Sequence, residues 1–195
     1  MKTINTLLSS FLLFYTGCVI PESNHVEPDY YLLTETNIDQ NKNSSTAELS
    51  FYLREIELPR YLKESRMIYR PTDHTIEFRE HKRWGEPLED GIARVLSLNI
   101  QNQVSKSHFT IFPNRRKDNL EWDISISFSS FEKVSDQLVI DANWIATSRT
   151  GAILSGSYSL ESTLQDPLDE LEEIKSFNLG LYKLANDILN GIASQ

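Results

Sequence analysis

Residues 121–131 read Glu121-Trp122-Asp123-Ile124-Ser125-Ile126-Ser127-Phe128-Ser129-Ser130-Phe131. Trp122, Ile124, Ile126 and Phe128 fall on one side of an extended chain, and Asp123, Ser125, Ser127 and Ser129 on the other. A period of two marks a strand with one buried face and one wet face. Residues 138–148 repeat the pattern, with Ile140, Ala142, Trp144 and Ala146 set against Asp141, Asn143 and Ile145. Residues 153–161 carry Leu154, Tyr158 and Leu160. Asp136-Gln137 and Thr150-Gly151 supply the turns, so the expectation is a three-stranded antiparallel meander.

Two helices flank this centre. Downstream, Leu168, Leu171, Ile174, Phe177, Leu181, Leu184, Ile188 and Ile192 recur every three or four residues. That is one apolar stripe over about 25 residues, or about 37 Å of helix. Asp166 is placed to cap it and Pro167 to open it. Gly180 inside it is a position for a bend. The stripe is read as core rather than as a lipid-binding face. The acidic run Asp169, Glu170, Glu172, Glu173 is read as favouring the positive helix start, not as a cation site. Upstream, Pro87 opens a helix in which Leu88, Ile92, Val95, Leu96 and Ile100 keep helical spacing to about Val104. Glu86, Glu89 and Asp90 sit at its start.

The remaining segments are short. Tyr30-Tyr31-Leu32-Leu33 is a buried strand by its apolar run. Residues 36–46 are a polar loop. Residues 48–58 alternate as a strand that Pro59 stops, and residues 60–64 make a helical turn. Residues 66–70 and 75–79 flank the Pro71-Thr72-Asp73-His74 turn as a hairpin, and residues 108–112 form one more strand. The fold class is therefore α/β: a mixed β-sheet containing an antiparallel meander, packed by two long helices.

Composition narrows the function. The 195 residues are 39% hydrophobic and 24% charged, as in a globular domain, with a formal net charge of −9. Loss of Lys2 with a cleaved leader makes the chain one unit more acidic. Such a chain has no electrostatic footprint for nucleic acid and no attraction to anionic lipid heads by charge. Lys2, the apolar run at residues 4–14 and the small pair Thr16-Gly17 describe an export signal, too short to span a bilayer. Cys18 is the sole cysteine. Gly17-Cys18 resembles the lipobox of bacterial lipoproteins; Tyr15, where Leu is usual, argues for the alternative of an ordinary secretory signal in which Cys18 is incidental, and the lack of any second cysteine argues against it. In the lipoprotein class the thiol and the new amino terminus carry acyl chains of the palmitate kind, which together make a stable anchor. The expected organisation is a signal peptide at 1–17, a Pro-containing tether at 18–28 reaching about 20–30 Å, and a domain at 29–195.

Enzyme motifs do not appear: there is no Gly-x-Ser-x-Gly, no phosphate loop and no dinucleotide turn. His25, His74, His81 and His108 have no metal-ligand spacing. Glu80-His81 and Glu89-Asp90 match acid/base residue types singly and read as solvated surface. One segment stands out: Arg83-Trp84-Gly85-Glu86-Pro87-Leu88. Trp84 can staple the following helix; alternatively Arg83, Trp84 and Glu86 form a patch that contacts a partner, since Trp and Arg anchor interfaces.

That segment, with Leu58-Pro59-Arg60-Tyr61-Leu62, Ile68-Tyr69-Arg70 and Ile92-Ala93-Arg94-Val95-Leu96, resembles the auxiliary lipoproteins of ABC-type transport systems, in particular the paraquat-inducible protein C (YmbA) family. Gly85 stands where that family has Ala. The resemblance implies an α/β domain like the amino-terminal domain of TolB. It also implies a periplasm-facing lipoprotein of the outer membrane, which Val19 after the cysteine also favours, with no enzymatic activity and no cofactor. It further implies work beside an MCE-domain protein in an intermembrane lipid transport system. A homo-oligomeric ring would suit a tubular partner. The rival readings are a periplasmic carrier holding lipid in its own apolar pocket and an envelope hydrolase using His81 or Asp90.

Overall fold

The computed structural model describes residues 26–36 and 45–194. The expected fold class is the one observed: an eight-stranded mixed sheet with two helices. The strands are β1 (Asp29–Tyr31), β2 (Ser45–Leu53), β3 (Arg66–Thr72), β4 (Thr75–Trp84), β5 (Val104–Ile111), β6 (Trp122–Val134), β7 (Gln137–Ser148) and β8 (Ile153–Thr163). The helices are α1 (Leu88–Gln103) and α2 (Glu170–Ala193), and a 3-10 turn covers Arg60–Lys63.

The meander forms as expected, β6 pairing β7 from Trp122↔Ser148 to Val134↔Gln137, and β7 pairing β8 throughout. Its first turn lies one residue earlier than expected. Ser135 takes the left-handed conformation at φ 56°, and Gln137 is already in the ladder. Gly151, at φ 92°, serves the second turn, where a side chain would be strained.

The other edge of β6 is shared. Phe51–Leu53 of β2 run parallel to Trp122–Ile124, and Tyr69 and Arg70 of β3 run parallel to Lys133 and Val134. Between these two partners the chain bridges through Glu57, whose N–H donates to Ile126 O at 3.0 Å and whose carbonyl accepts from Phe128 N at 2.9 Å. The expected strand at 48–58 therefore ends at Leu53, because beyond it the chain leaves β5 to fill this fork. β5 lies outside β2, while β4 and then β1 lie outside β3. A register shift between Phe128 and Ser130 resets the alternation, so that Phe131 returns to the buried face three residues after Phe128.

Both helices cover one face, α1 against β2 and β5, α2 against β7 and β8, and each against the other. The opposite face is polar, with Ser157 donating to Asn143 and Ser159 to Asp141. An aromatic column ties helix to sheet. Phe177 of α2 stacks on Phe131 at 4.3 Å, Phe131 meets Phe128 edge-on at 5.6 Å, and Trp84 meets Phe177 edge-on at 5.9 Å. Each fully buried ring contributes roughly 1.5–3 kcal/mol.

Several local expectations need correction. The run at 30–33 is not a buried strand. Among the described residues β1 is an edge strand paired only with β4; Tyr30 and Leu32 are exposed and, of the four, Leu33 is the buried one. β2 starts at Ser45, inside the expected loop, most of which lies outside the described residues. β4 continues to Trp84 because β1 and β3 pair its two edges. α1 passes into β5 at Val104 without a loop, and Pro87 is its N-cap rather than its first residue. α2 begins three residues later than Pro167, with Asp169 as cap: its Oδ1 accepts from Leu171 N at 2.8 Å. Leu168 therefore precedes the helix, and both Leu168 and Leu171 stand outside the core stripe, at 86% and 59% exposure. The helix runs unbroken through Gly180, where a Cβ would lie 2.3 Å from Ile140 Cδ1; the glycine serves close approach to the sheet.

Candidate functional site

Residues 83–88 form a corner where β4 ends and α1 begins. Trp84 N donates to Ser65 O and Gly85 N to Tyr31 O, both at 2.8 Å, which locks the corner between β3 and β1. Leu32 packs over Gly85, with Cδ2 at 3.1 Å from where a Cβ would stand. The Trp84 indole is buried against Phe177 of α2 and so belongs to the core.

Glu86 is held by an ion pair. Arg94 Nη2 donates to Glu86 Oε1 and also to Leu33 O at 2.9 Å, so α1, the corner and the end of β1 close on one guanidinium. Gly91 leaves room for the carboxylate, which lies 3.1 Å from its virtual Cβ. Arg83 is half-buried, and its Nε lacks a hydrogen-bond partner among the described residues. Of the three sequence-selected residues, Trp84 is a positioning group, Glu86 is engaged, and Arg83 is half-buried with its Nε shielded from solvent. Cys18 lies outside the described residues.

The acidic run at the start of α2 has more specific work than complementing a helix dipole. Glu173 is buried and pairs with Arg79 through both oxygens, at 2.8 and 3.0 Å. Glu172 accepts from Gln165 N and Asp166 N. Lys82 Nζ joins Asp29 Oδ2 at 2.9 Å to Glu170 Oε1 at 3.5 Å. Hydrogen bonds to Asp29 and Tyr31 hold that ammonium above the usual lysine range. A second buried pair, Arg70 with Glu132 at 2.8 Å, sits beside Tyr61, whose hydroxyl is pushed up to about 12 by burial and by the Glu132 charge. Sequence reasoning missed both buried pairs. The only signal was a carboxylate at a phase of strand or helix where an apolar side chain belongs.

Among the described residues no three His, Cys, Asp or Glu side chains gather as a metal site. His74 lies in the exposed β3–β4 turn, His81 is exposed on β4 and His108 on β5, well apart in the fold. Asp90 is exposed in the first turn of α1. Two surface grooves, of about 490 and 310 Å³, are lined mainly by polar residues, including Glu48, Lys106 and His108 in one and Glu121 and Arg149 in the other.

Fold and corner together define a two-layer α/β domain with one helix-covered sheet face. The chain belongs to the family of ABC-type transport auxiliary lipoprotein components, whose model matches residues 31–188. Comparison with curated proteins gives no sequence match. Among solved structures, the chain is similar to an uncharacterized protein at TM-score 0.71 and 17% identity, covering 86% of this chain and 99% of that one. It is also similar to protein XCC0632 from Xanthomonas campestris, of family DUF330, at TM-score 0.64 and 11% identity, covering 86% and 92%. These likenesses concern the fold.

Proposed function

We propose that this chain is a non-enzymatic auxiliary lipoprotein of the outer membrane, facing the periplasm, that docks an MCE/ABC-type intermembrane lipid transport system. Family membership over residues 31–188 is the observation that carries the reading. In this account residues 1–17 are a signal peptide, Cys18 bears the acyl chains, residues 18–28 are the tether, and the domain follows. Arg83 and Glu86 present the partner contact at the corner, and Trp84 fixes its position from within. The MCE-domain protein is the partner, and a homo-oligomer of this chain would match a tubular one.

Among the described residues the two grooves have mainly polar linings, whereas a carrier would need apolar walls around a lipid tail, and this supports docking. The test is fractionation of Cys18→Ser, which should leave the outer-membrane fraction, together with recovery of an MCE-domain protein from detergent extracts of the envelope. Retention of the variant in that fraction overturns the anchor. Failure to recover the protein where it is expressed overturns the partner.

A further inference from the structure

The loop before α2 displays a leucine on a rigid mount. Leu168 is 86% exposed, yet the backbone around it is tied at several points. Glu172 accepts from Gln165 N at 2.7 Å and Asp166 N at 2.8 Å. Asp166 Oδ1 accepts from Leu168 N at 2.9 Å, and Asp169 Oδ1 from Leu171 N at 2.8 Å. Lys133 Nζ donates to Pro167 O. A loop ordered in advance loses little freedom when its apolar tip is covered.

The position of this loop identifies what covers it. Lys82 bridges Asp29 of β1 to Glu170 of α2, so the loop stands beside the point where the chain enters the domain. Val26, three residues before Asp29, is 58% exposed. If Cys18 is acylated, no more than eight residues separate the anchor from Val26, about 26 Å fully extended. The bilayer is then a surface held near the side of the domain that carries Leu168 and Leu171.

We infer that Leu168 and Leu171, with Val26 at the tether root, are a bilayer-contacting patch that seats the domain tether-end down. This rests on the anchoring reading above. The chemistry is apolar insertion at the headgroup boundary. The carboxylates of Asp166, Asp169, Glu170 and Glu172 disfavour anionic headgroups, so the surface it fits is predominantly zwitterionic.

The experiment uses the full lipidated chain in phosphatidylethanolamine/phosphatidylcholine vesicles. If acylation blocks Cys18, a cysteine introduced by Gln165→Cys alone takes a thiol-reactive fluorophore; Gln165 is exposed and only its backbone is bonded here. Asn119→Cys, at the other end of β6, is the control. Bromine-bearing lipid chains should quench the label at 165 several-fold more than at 119. Leu168→Ser with Leu171→Ser should abolish the difference, and added anionic lipid should reduce it. Equal quenching at both sites overturns the proposal. So does a label at 165 shielded from aqueous iodide yet unquenched by lipid, which would mean that a protein or a second copy covers the patch. Labelling of the parent chain at Cys18 sinks the anchoring reading instead, before the leucines are tested.

Discussion

Trp144 of β7 donates its Nε1–H to Asp187 Oδ2 of α2 across 2.7 Å, and its ring fills a slot made by two glycines. A Cβ at Gly156 of β8 would lie 2.6 Å from Trp144 Cε2, and one at Gly191 of α2 would lie 2.4 Å from Cη2. The indole is thus pinned between strand and helix by shape and by one bond.

Gly191→Ala should therefore destabilise the protein. Alanine in a helix is worth about 1 kcal/mol over glycine, but overpacking a rigid ring costs roughly 1–3 kcal/mol. The expected outcome is a lower urea midpoint with an unchanged slope. Combining it with Trp144→Phe should cost less than the sum of the single changes, because both act on one slot.

Glu173→Gln should lower stability by about 3–5 kcal/mol, since it leaves Arg79 with its charge partner removed inside a mostly dry contact. Arg79→Met with Glu173→Leu should recover most of that loss. Urea unfolding of Arg79→Met, of Glu173→Leu and of their double decides it. Additive losses would show that the pair is not coupled.

Alkaline pH should unfold the domain in a defined window. Burial pushes the hydroxyls of both Tyr61 and Tyr158 up to about 12; the Glu132 charge adds to the first and Asp187 to the second. An unfolded tyrosine ionises near 10. Below that pH their contribution is fully present; between about 10 and 12 unfolding releases protons, and stability falls as pH rises. Tyr158→Phe, which also removes a 3.1 Å bond to Gly180 O, should flatten the decline. Melting temperatures from pH 9 to 12 measure it.

Arg83→Ala should leave the melting temperature nearly unchanged, because the side chain is half-exposed and its Nε makes no bond among the described residues. If the proposed docking holds, recovery of an MCE-domain protein in pulldowns should fall. Glu86→Ala should lower both, since it also releases Arg94 from the corner.

Legibility in the sequence followed the range of the interactions. Alternation along 121–131, 138–148 and 153–161 foretold the meander, because each strand's burial is written into its own period. The stripe from Ile174 to Ile188 foretold the buried face of α2 for the same reason. Leu168 continues that spacing yet stands outside the core, because Asp169 rather than Asp166 wins the cap and leaves it before the helix; Leu171, in the first helical turn, is exposed as well. The corner at 83–88 was recognisable as unusual, but nothing local said that Trp84 would turn inward onto Phe177, 93 residues away along the chain.

By itself the sequence determined the fold class, the three-stranded meander and the two helices, all of which depend on near neighbours or on composition. Only the tertiary structure decided how β6 divides one edge between β2 and β3, which carboxylates are buried against arginines, and which leucines remain in water. Those outcomes depend on groups far apart in sequence competing for the same hydrogen bonds and the same space, and no local pattern records who wins.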